Sequence, residues 1–252
     1  MARFWTFTNR VATEAEPESV ELRIEGDIVS DDDVWLYEWL NIAATSPNTF
    51  KAELAKYSNK PITVWIDSYG GDVFAAAGIY NALMEHKGPV TVKIDGKAMS
   101  AASVIAMAGG EILMSPVAVM MIHNPLTVAQ GDMHDMRHMA DVLDTVKETI
   151  INAYQIKTGK SRAKISEMMD AETWMSARAA IKDGFADKML YAESEELVKD
   201  YAPNLLFNRL AIQNSASAVT KRLFDIENEH KPKEQEPDIK QLKAKLALEL
   251  EL

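Results

Sequence analysis

The sequence predicts an α/β fold with an at least partly parallel sheet, and three stretches carry that reading. Pro61 to Ile66 reads as a strand, Asp67 to Asp72 as a Gly-rich turn, Val73 to Met84 as a helix and Val90 onward as another strand. Such a strand–turn–helix–strand unit is a crossover joining parallel strands. From Val90 the motif repeats: Val90, Val92 and Ile94 alternate, Asp95-Gly96 breaks the run, and Ser100-Ala101-Ala102-Ser103 opens an apolar helix ending near Gly109-Gly110. From Asp132 to Thr158, Met136, Met139, Ala140, Leu143, Val146, Ile150 and Ala153 recur at three- and four-residue steps, predicting one long amphipathic helix closed at Gly159.

The remaining elements follow in order. Residues 1–17 read as a loosely held leader with aromatic anchors Phe4, Trp5 and Phe7. Val20, Leu22 and Ile24 alternate as a strand that turns at Gly26-Asp27, and Ser30 to Asp33 cap a helix carrying Trp35, Leu36, Trp39, Leu40 and Ile42. Ser46-Pro47 starts a second helix running to about Tyr57. After Gly110, short apolar runs cover Glu111 to Met114 and Val117 to Ile122, the second ending at His123-Asn124-Pro125. A capped helix from Ser161 to Met169 leads to the loop holding Asp170 and Glu172; Ser176 caps a further helix ending at Gly184, and a strand covers Phe185 to Leu190. The domain expectation is a leader over 1–17, a core domain over 18–195 and an extension over 196–252. Within the extension, HKPKEQEP reads as a linker and Asp238 to Leu252 as a partner-binding helix or an inert tail.

Composition narrows the chemistry. There are no cysteines, which excludes disulfides, thiol nucleophiles and thiolate metal sites. The net charge of -11 argues against wrapping nucleic acid, which needs clustered Lys and Arg. No apolar run reaches the roughly 18 residues of a membrane span. Gly70-Gly71-Asp72 lacks both nucleotide fingerprints, and Gly159-Lys160-Ser161 follows a helix with Tyr154 where a phosphate loop needs glycine. His134 and His138 are four apart, a metal-ligating spacing, but without an HExxH glutamate they read as an exposed polar face. The aspartates at 31–33 read as helix-cap chemistry.

Three residues remain ambiguous singly. Ser100 lies where a helix start would stabilise developing negative charge, and reads as a nucleophile or as an N-cap. His123 ends an apolar strand in a proline-fixed turn, where it reaches a neighbouring loop or bonds to backbone. Glu172 lies beside Trp174, either shielded or solvated.

Together they resemble a known family. Gly96-Lys97-Ala98-Met99-Ser100 is similar to the ClpP peptidase nucleophile motif GxxxS, Met121-Ile122-His123-Asn124-Pro125 to its MIHxP motif, and Asp67-Ser68-Tyr69-Gly70-Gly71 to its NSPGG loop. The likeness runs from about Val20 to Leu190. It is nearer still to the ClpP-like head maturation (prohead) proteases of tailed phages of Gram-positive hosts, on the FW-containing leader, GGDVFAA, SAASVIAMAG, the KTG turn at Lys157 and ETW at Glu172.

The resemblance implies a crotonase-type spiral of βαβ units with the 132–158 helix as a protruding handle. It implies a serine endopeptidase with Ser100 as nucleophile, His123 as general base and later acid, and Glu172 as third member in place of the family's aspartate, with Asp170 as the fallback. The backbone N–H groups of Gly71 and Ala101 would receive the oxyanion. Expected partners are protein or peptide substrates, among them capsid or scaffold proteins, and further copies of the chain in a ring of seven or fourteen. No cofactor or metal, no nucleic acid and no membrane is expected, and the location is cytoplasmic, in a host cell if phage-encoded. Met99 departs from the family's small residue and Tyr69 from its proline, while Ser103, one helical turn past Ser100, is expected to face the core. Alternatives are a housekeeping ClpP acting with an ATPase unfoldase, a crotonase-type acyl-CoA enzyme, and a catalytically dead capsid-assembly factor.

Overall fold

The computed structural model describes residues 7–10 and 19–191; Phe4 and Trp5 of the leader, and the extension from 196 to 252 with its expected helix, lie outside the described residues. Strand β1 (Phe7–Arg10) falls in the segment expected to be loose and pairs antiparallel with β2 (Ser19–Ile28). Helix α1 (Val34–Leu40) stops two residues earlier than expected because Asn41 takes a left-handed conformation, which leaves Ile42 outside. The two-residue β3 (Ala44–Thr45) then pairs with β2. In α2 (Pro47–Leu54), followed by a 3-10 turn (Ala55–Tyr57), Ser46 makes no side-chain cap bond. Instead Asp31 reaches across, its Oδ1 accepting from the Asn48 N–H at 2.9 Å. The aspartate run does serve helix starts, but on the next helix.

β4 (Ile62–Gly71), α3 (Val73–Met84) and β5 (Val90–Met99) form the expected crossover, with β4 and β5 parallel. Asp72 caps α3, its Oδ1 accepting from Ala75 N–H at 2.6 Å. There follow α4 (Ala101–Ala106), β6 (Glu111–Met114), β7 (Val119–Ile122), α5 (Met133–Thr158), α6 (Arg162–Asp170), β8 (Thr173–Ser176), α7 (Ala177–Lys182) and β9 (Lys188–Met189). Among the described residues the sheet runs β1-β2-β4-β5-β6-β9, with β7 joining β5 to β8 off this path.

Two expected turns are strand instead. β4 continues through Gly70-Gly71 and β5 through Asp95-Gly96. Both extensions keep strand partners: Gly70 and Gly71 face Asp27 and Ile28 of β2, and Lys97 to Met99 face Val119 to Met121 of β7. A ladder that satisfies main-chain polar groups outweighs the turn preference of Asp and Gly. The expected strand over Phe185 to Leu190 shrinks to β9, and β8 forms where a loop was expected.

The core is built in rungs across β2, β4, β5 and β6. Leu22, Val64, Val92 and Ile112 stand in register, and so do Ile24, Ile66, Ile94 and Met114, all eight fully buried. Period-two alternation sends the intervening residues to the opposite face, where Arg23 and Lys93 lie over the Trp65 ring at 5.7 and 4.9 Å. Ile66 is one of the two inner members of its rung, so Ile66→Ala should cost about 2–5 kcal/mol, read as a lowered denaturation midpoint at unchanged m-value.

Helix α5 obeys its sequence closely. Asp132 and Asp135 form a capping box at its start, and Gly159 closes it in the left-handed conformation. Its buried residues begin at Val146, so the first three turns project from the core while the second half is anchored. Lys157 fixes the anchored end: its ammonium donates to the Gly109 and Gly110 carbonyls at 3.2 and 3.3 Å and to Asp187 at 2.8 Å. No helix of the described residues is long and apolar enough to cross a membrane.

Candidate active site

The site is assembled by strand register. Between the pairs Ile66↔Ile94 and Ser68↔Ala98, β5 uses two more residues than β4, a bulge that carries it away from β6 and onto β7. Met99 then pairs with Met121, and Ser100 N–H donates to Met121 O at 2.9 Å, one step further along the ladder. On the other side of β7, Ile122 pairs with Thr173 of antiparallel β8. Extending that register by one residue sets His123 opposite Glu172. Three segments distant in sequence thus end at one place because β7 lies between β5 and β8.

Ser100 Oγ lies 2.7 Å from His123 Nε2. Ser100 heads α4 but makes no side-chain cap bond, so its hydroxyl is not spent on the helix start. Its backbone sits at φ 52, ψ -124, a region that costs a non-glycine residue on the order of 1–3 kcal/mol and holds the side chain clear of the helix it precedes. Because α4 spans only six residues, the local N–H groups matter here more than a helix macrodipole.

Burial depresses the His123 pKa below the ordinary histidine value, and the Glu172 carboxylate partly opposes that shift. Among the described residues no hydrogen bond joins Glu172 to His123; Glu172 Oε1 accepts from Trp174 Nε1 at 3.3 Å. Glu172 takes φ 50, a second strained non-glycine position at the site. Asp170 is turned elsewhere. It is exposed and accepts from Lys147 Nζ at 2.6 Å and Asn124 Nδ2 at 2.8 Å, interactions that lower its pKa. Of the two carboxylates, only Glu172 acts electrostatically on the imidazole.

Gly70 and Gly71 end β4 at φ 102 and 144. A Cβ on Gly71 would lie 2.0 Å from Ile28 O, so the neighbouring strand requires glycine there. Gly70 is the residue whose Cβ would crowd Ser100, at 2.7 Å from Met99 O and 2.9 Å from both Ala101 N and Ser100 Cβ. The sequence reading missed this role. Ser68 secures the strand end: its Oγ donates to Gly26 O at 2.6 Å and accepts from Gly70 N–H at 3.1 Å. Met99 is buried, and Tyr69 is partly exposed with Lys97 Nζ 4.3 Å from its ring centroid. His134 and His138 are exposed on α5, and among the described residues no group of three or more His, Asp or Glu is placed to hold a metal.

A mixed α/β fold with a largely parallel sheet, presenting a serine hydroxyl to an imidazole at its strand ends, defines a serine hydrolase. Residues 43–193, more than half of the chain, match the Clp protease family, and the chain belongs to it. The chain is 31% identical over 140 residues to the ATP-dependent Clp protease proteolytic subunit 1 of Protochlamydia amoebophila, covering 54% of this chain and 68% of that one. It is 32% identical over 149 residues to the ATP-dependent Clp protease proteolytic subunit of Bacteroides fragilis, covering 57% and 72%. The fold is accordingly ClpP-like, and the enzyme class is serine-type endopeptidase.

The electrostatics make a directional prediction. A general base must be neutral, so the acid limb of kcat/KM should lie below the ordinary histidine value of about 6.5. Glu172→Gln removes the one charge that raises the His123 pKa, so the limb should move to still lower pH. The plateau should fall by about 10²–10⁴, because the imidazolium formed in the transition state loses its counter-charge. A pH–rate profile of both proteins checks this, and an unmoved limb would remove Glu172 from the site's chemistry.

Proposed function

We propose that Ser100, His123 and Glu172 carry out the peptide-bond hydrolysis. The observation that carries the reading is the 2.7 Å contact between Ser100 Oγ and His123 Nε2, on a serine whose side chain makes no cap bond. Ser100 Oγ attacks the scissile carbonyl as His123 takes its proton, and His123 returns that proton to the leaving amine. Water then repeats the sequence on the acyl-enzyme. Glu172 orients the imidazole and balances its charge, while the Gly71 and Ala101 N–H groups receive the oxyanion. A catalytically dead assembly factor would not need a serine held in a strained conformation against a depressed histidine. A crotonase-type acyl-CoA enzyme would need neither residue.

The finer reading is a head maturation protease that cleaves capsid or scaffold proteins, its peptidase domain over 18–195 flanked by the leader and the extension. It is supported by the leader, GGDVFAA, SAASVIAMAG and ETW features of the sequence. Assembly into a homo-oligomeric ring goes with it, supported by the projecting front of α5, where Met133 and Met136 are exposed, and by exposed Trp35, Trp39 and Phe74. The second reading, a housekeeping subunit working with an ATPase unfoldase, is favoured by the names of the relatives. One assay separates them. A head maturation protease cleaves a capsid–scaffold assembly at discrete sites without ATP, whereas a housekeeping subunit degrades a folded, tagged substrate only when an unfoldase and ATP are added. Native mass spectrometry of the same sample reads the ring as multiples of seven.

A further inference from the structure

Ser103 and Tyr154 form a hydroxyl pair inside the core that the mechanism above does not use. Both are essentially fully buried. Ser103 Oγ lies 2.6 Å from Ser100 O and 2.8 Å from the Tyr154 hydroxyl. Proton counting fixes the direction of the chain. A carbonyl can only accept, so the single hydroxyl proton of Ser103 goes to Ser100 O. Toward Tyr154, Ser103 Oγ must then be the acceptor, and Tyr154 is the donor. Burial raises the tyrosine pKa, which keeps that donor protonated. The ring is held by an edge contact with Phe185, centroids 5.6 Å apart, and it belongs to the anchored half of α5.

What this chain ends on matters. Ser100 C=O and Ala101 N–H belong to one planar peptide group and point in opposite directions. Bonds accepted at the carbonyl therefore fix the direction of the N–H, and they polarise it into a better donor. Ser100 O already accepts from Ser103 N–H at 2.9 Å, so the hydroxyl adds a second bond at the same oxygen. The peptide so held follows a serine at φ 52, where the backbone has least intrinsic preference for staying in place.

We propose that Tyr154 and Ser103 are positioning residues that aim and polarise the Ala101 N–H at the oxyanion, an inference resting on Ser100 as nucleophile. It makes the long helix part of the catalytic apparatus: the tyrosine that closes the chain is supplied by α5. Because the oxyanion exists only in the transition state, the effect belongs in kcat and leaves substrate binding alone.

The test uses the full-length, assembled protein. Wild type and Ser100→Ala are first treated with a fluorophosphonate probe; if wild type is not labelled at Ser100, the nucleophile reading fails and the proposal falls with it. Given labelling, Tyr154→Phe and Ser103→Ala should each lower kcat on a peptide substrate by about tenfold, less than the 10²–10³ of losing an oxyanion donor outright. KM and the acid limb of the pH profile should stay where they are, and inhibition by a peptide aldehyde, whose hemiacetal mimics the tetrahedral intermediate, should weaken in step with kcat. The double variant should be about as slow as Ser103→Ala alone, because the two hydroxyls act in series. Ile151→Val, a core truncation on the same helix that leaves both hydroxyls and the Phe185 contact in place, should retain kcat. Labelled variants with wild-type kcat, a loss appearing in KM, or an equal loss in Ile151→Val would each overturn the proposal.

Discussion

Ser100→Ala should abolish labelling by a fluorophosphonate and lower peptidase kcat by about 10⁴–10⁶, while leaving the fold intact. The size follows from what is removed. The hydroxyl lies 2.7 Å from His123 Nε2, and alanine removes it while keeping the Cβ, the strained φ and the main-chain bond to Met121 O. Only a partly exposed hydroxyl and one hydrogen bond are lost, worth about 1 kcal/mol of stability. His123→Ala should lose nearly as much activity, and the double variant little more than either single one, because nucleophile and base act as a unit. Active-site labelling, single-turnover kinetics and thermal melts on the same preparations separate chemistry from folding. A Ser100→Ala protein that still turns over peptide at a tenth of the wild-type rate would require another nucleophile. Ser103 could not serve, since its hydroxyl is buried and committed to Ser100 O.

Much of this arrangement is legible in the residues, and the rest is hidden for identifiable reasons. The alternation in Val20 to Ile24, Pro61 to Ile66 and Val90 to Ile94 yields three parallel strands because each buries one face in the same core. Helix α5 is legible because its capping box, apolar stripe and terminal glycine agree. The ends of the strands are not. Asp95-Gly96 and Gly70-Gly71 have the composition of turns, and only the presence of β7 and β2 alongside turns them into ladder. Strand β8 is hidden for the same reason, since Thr173 to Ser176 carries no alternation and takes its conformation from pairing with β7. That hidden strand brings Glu172 to the site. The Ser103–Tyr154 pair is invisible in sequence because it joins residues 51 apart through the core. Ser100 and His123, which meet at 2.7 Å, each stand in a local motif that sequence alone can single out. Gly70 could not be found in this way, since the space it keeps open belongs to atoms of β5 and α4.

Gly71→Ala should be the most damaging single methyl group that can be added near the site. At φ 144 an L-residue is already strained, and the new Cβ would lie 2.0 Å from Ile28 O, a main-chain atom that cannot swing aside. Either β4 lifts away from β2 or Ile28 is displaced, and both break the bond from Asp72 N–H to Ile28 O at 2.7 Å that leads into α3. Stability should fall by about 1–3 kcal/mol from backbone strain alone. Activity should fall by about 10²–10³ or more, the loss of one oxyanion donor, because Gly71 N–H moves with its strand. Gly70→Ala separates the two consequences. Its Cβ would meet Met99 O, Ala101 N and Ser100 Cβ, all within 3 Å and all on the nucleophile's side. That variant should therefore keep the β2 ladder while shifting Ser100 against His123, so fluorophosphonate labelling slows together with turnover. In Gly71→Ala, by contrast, the Ser100–His123 pair stays in place in whatever fraction remains folded, and deacylation and acylation of a peptide ester slow equally, since both pass through an oxyanion. If Gly71→Ala melted normally and hydrolysed peptide at the wild-type rate, the oxyanion would have to be held by donors on the α4 side alone.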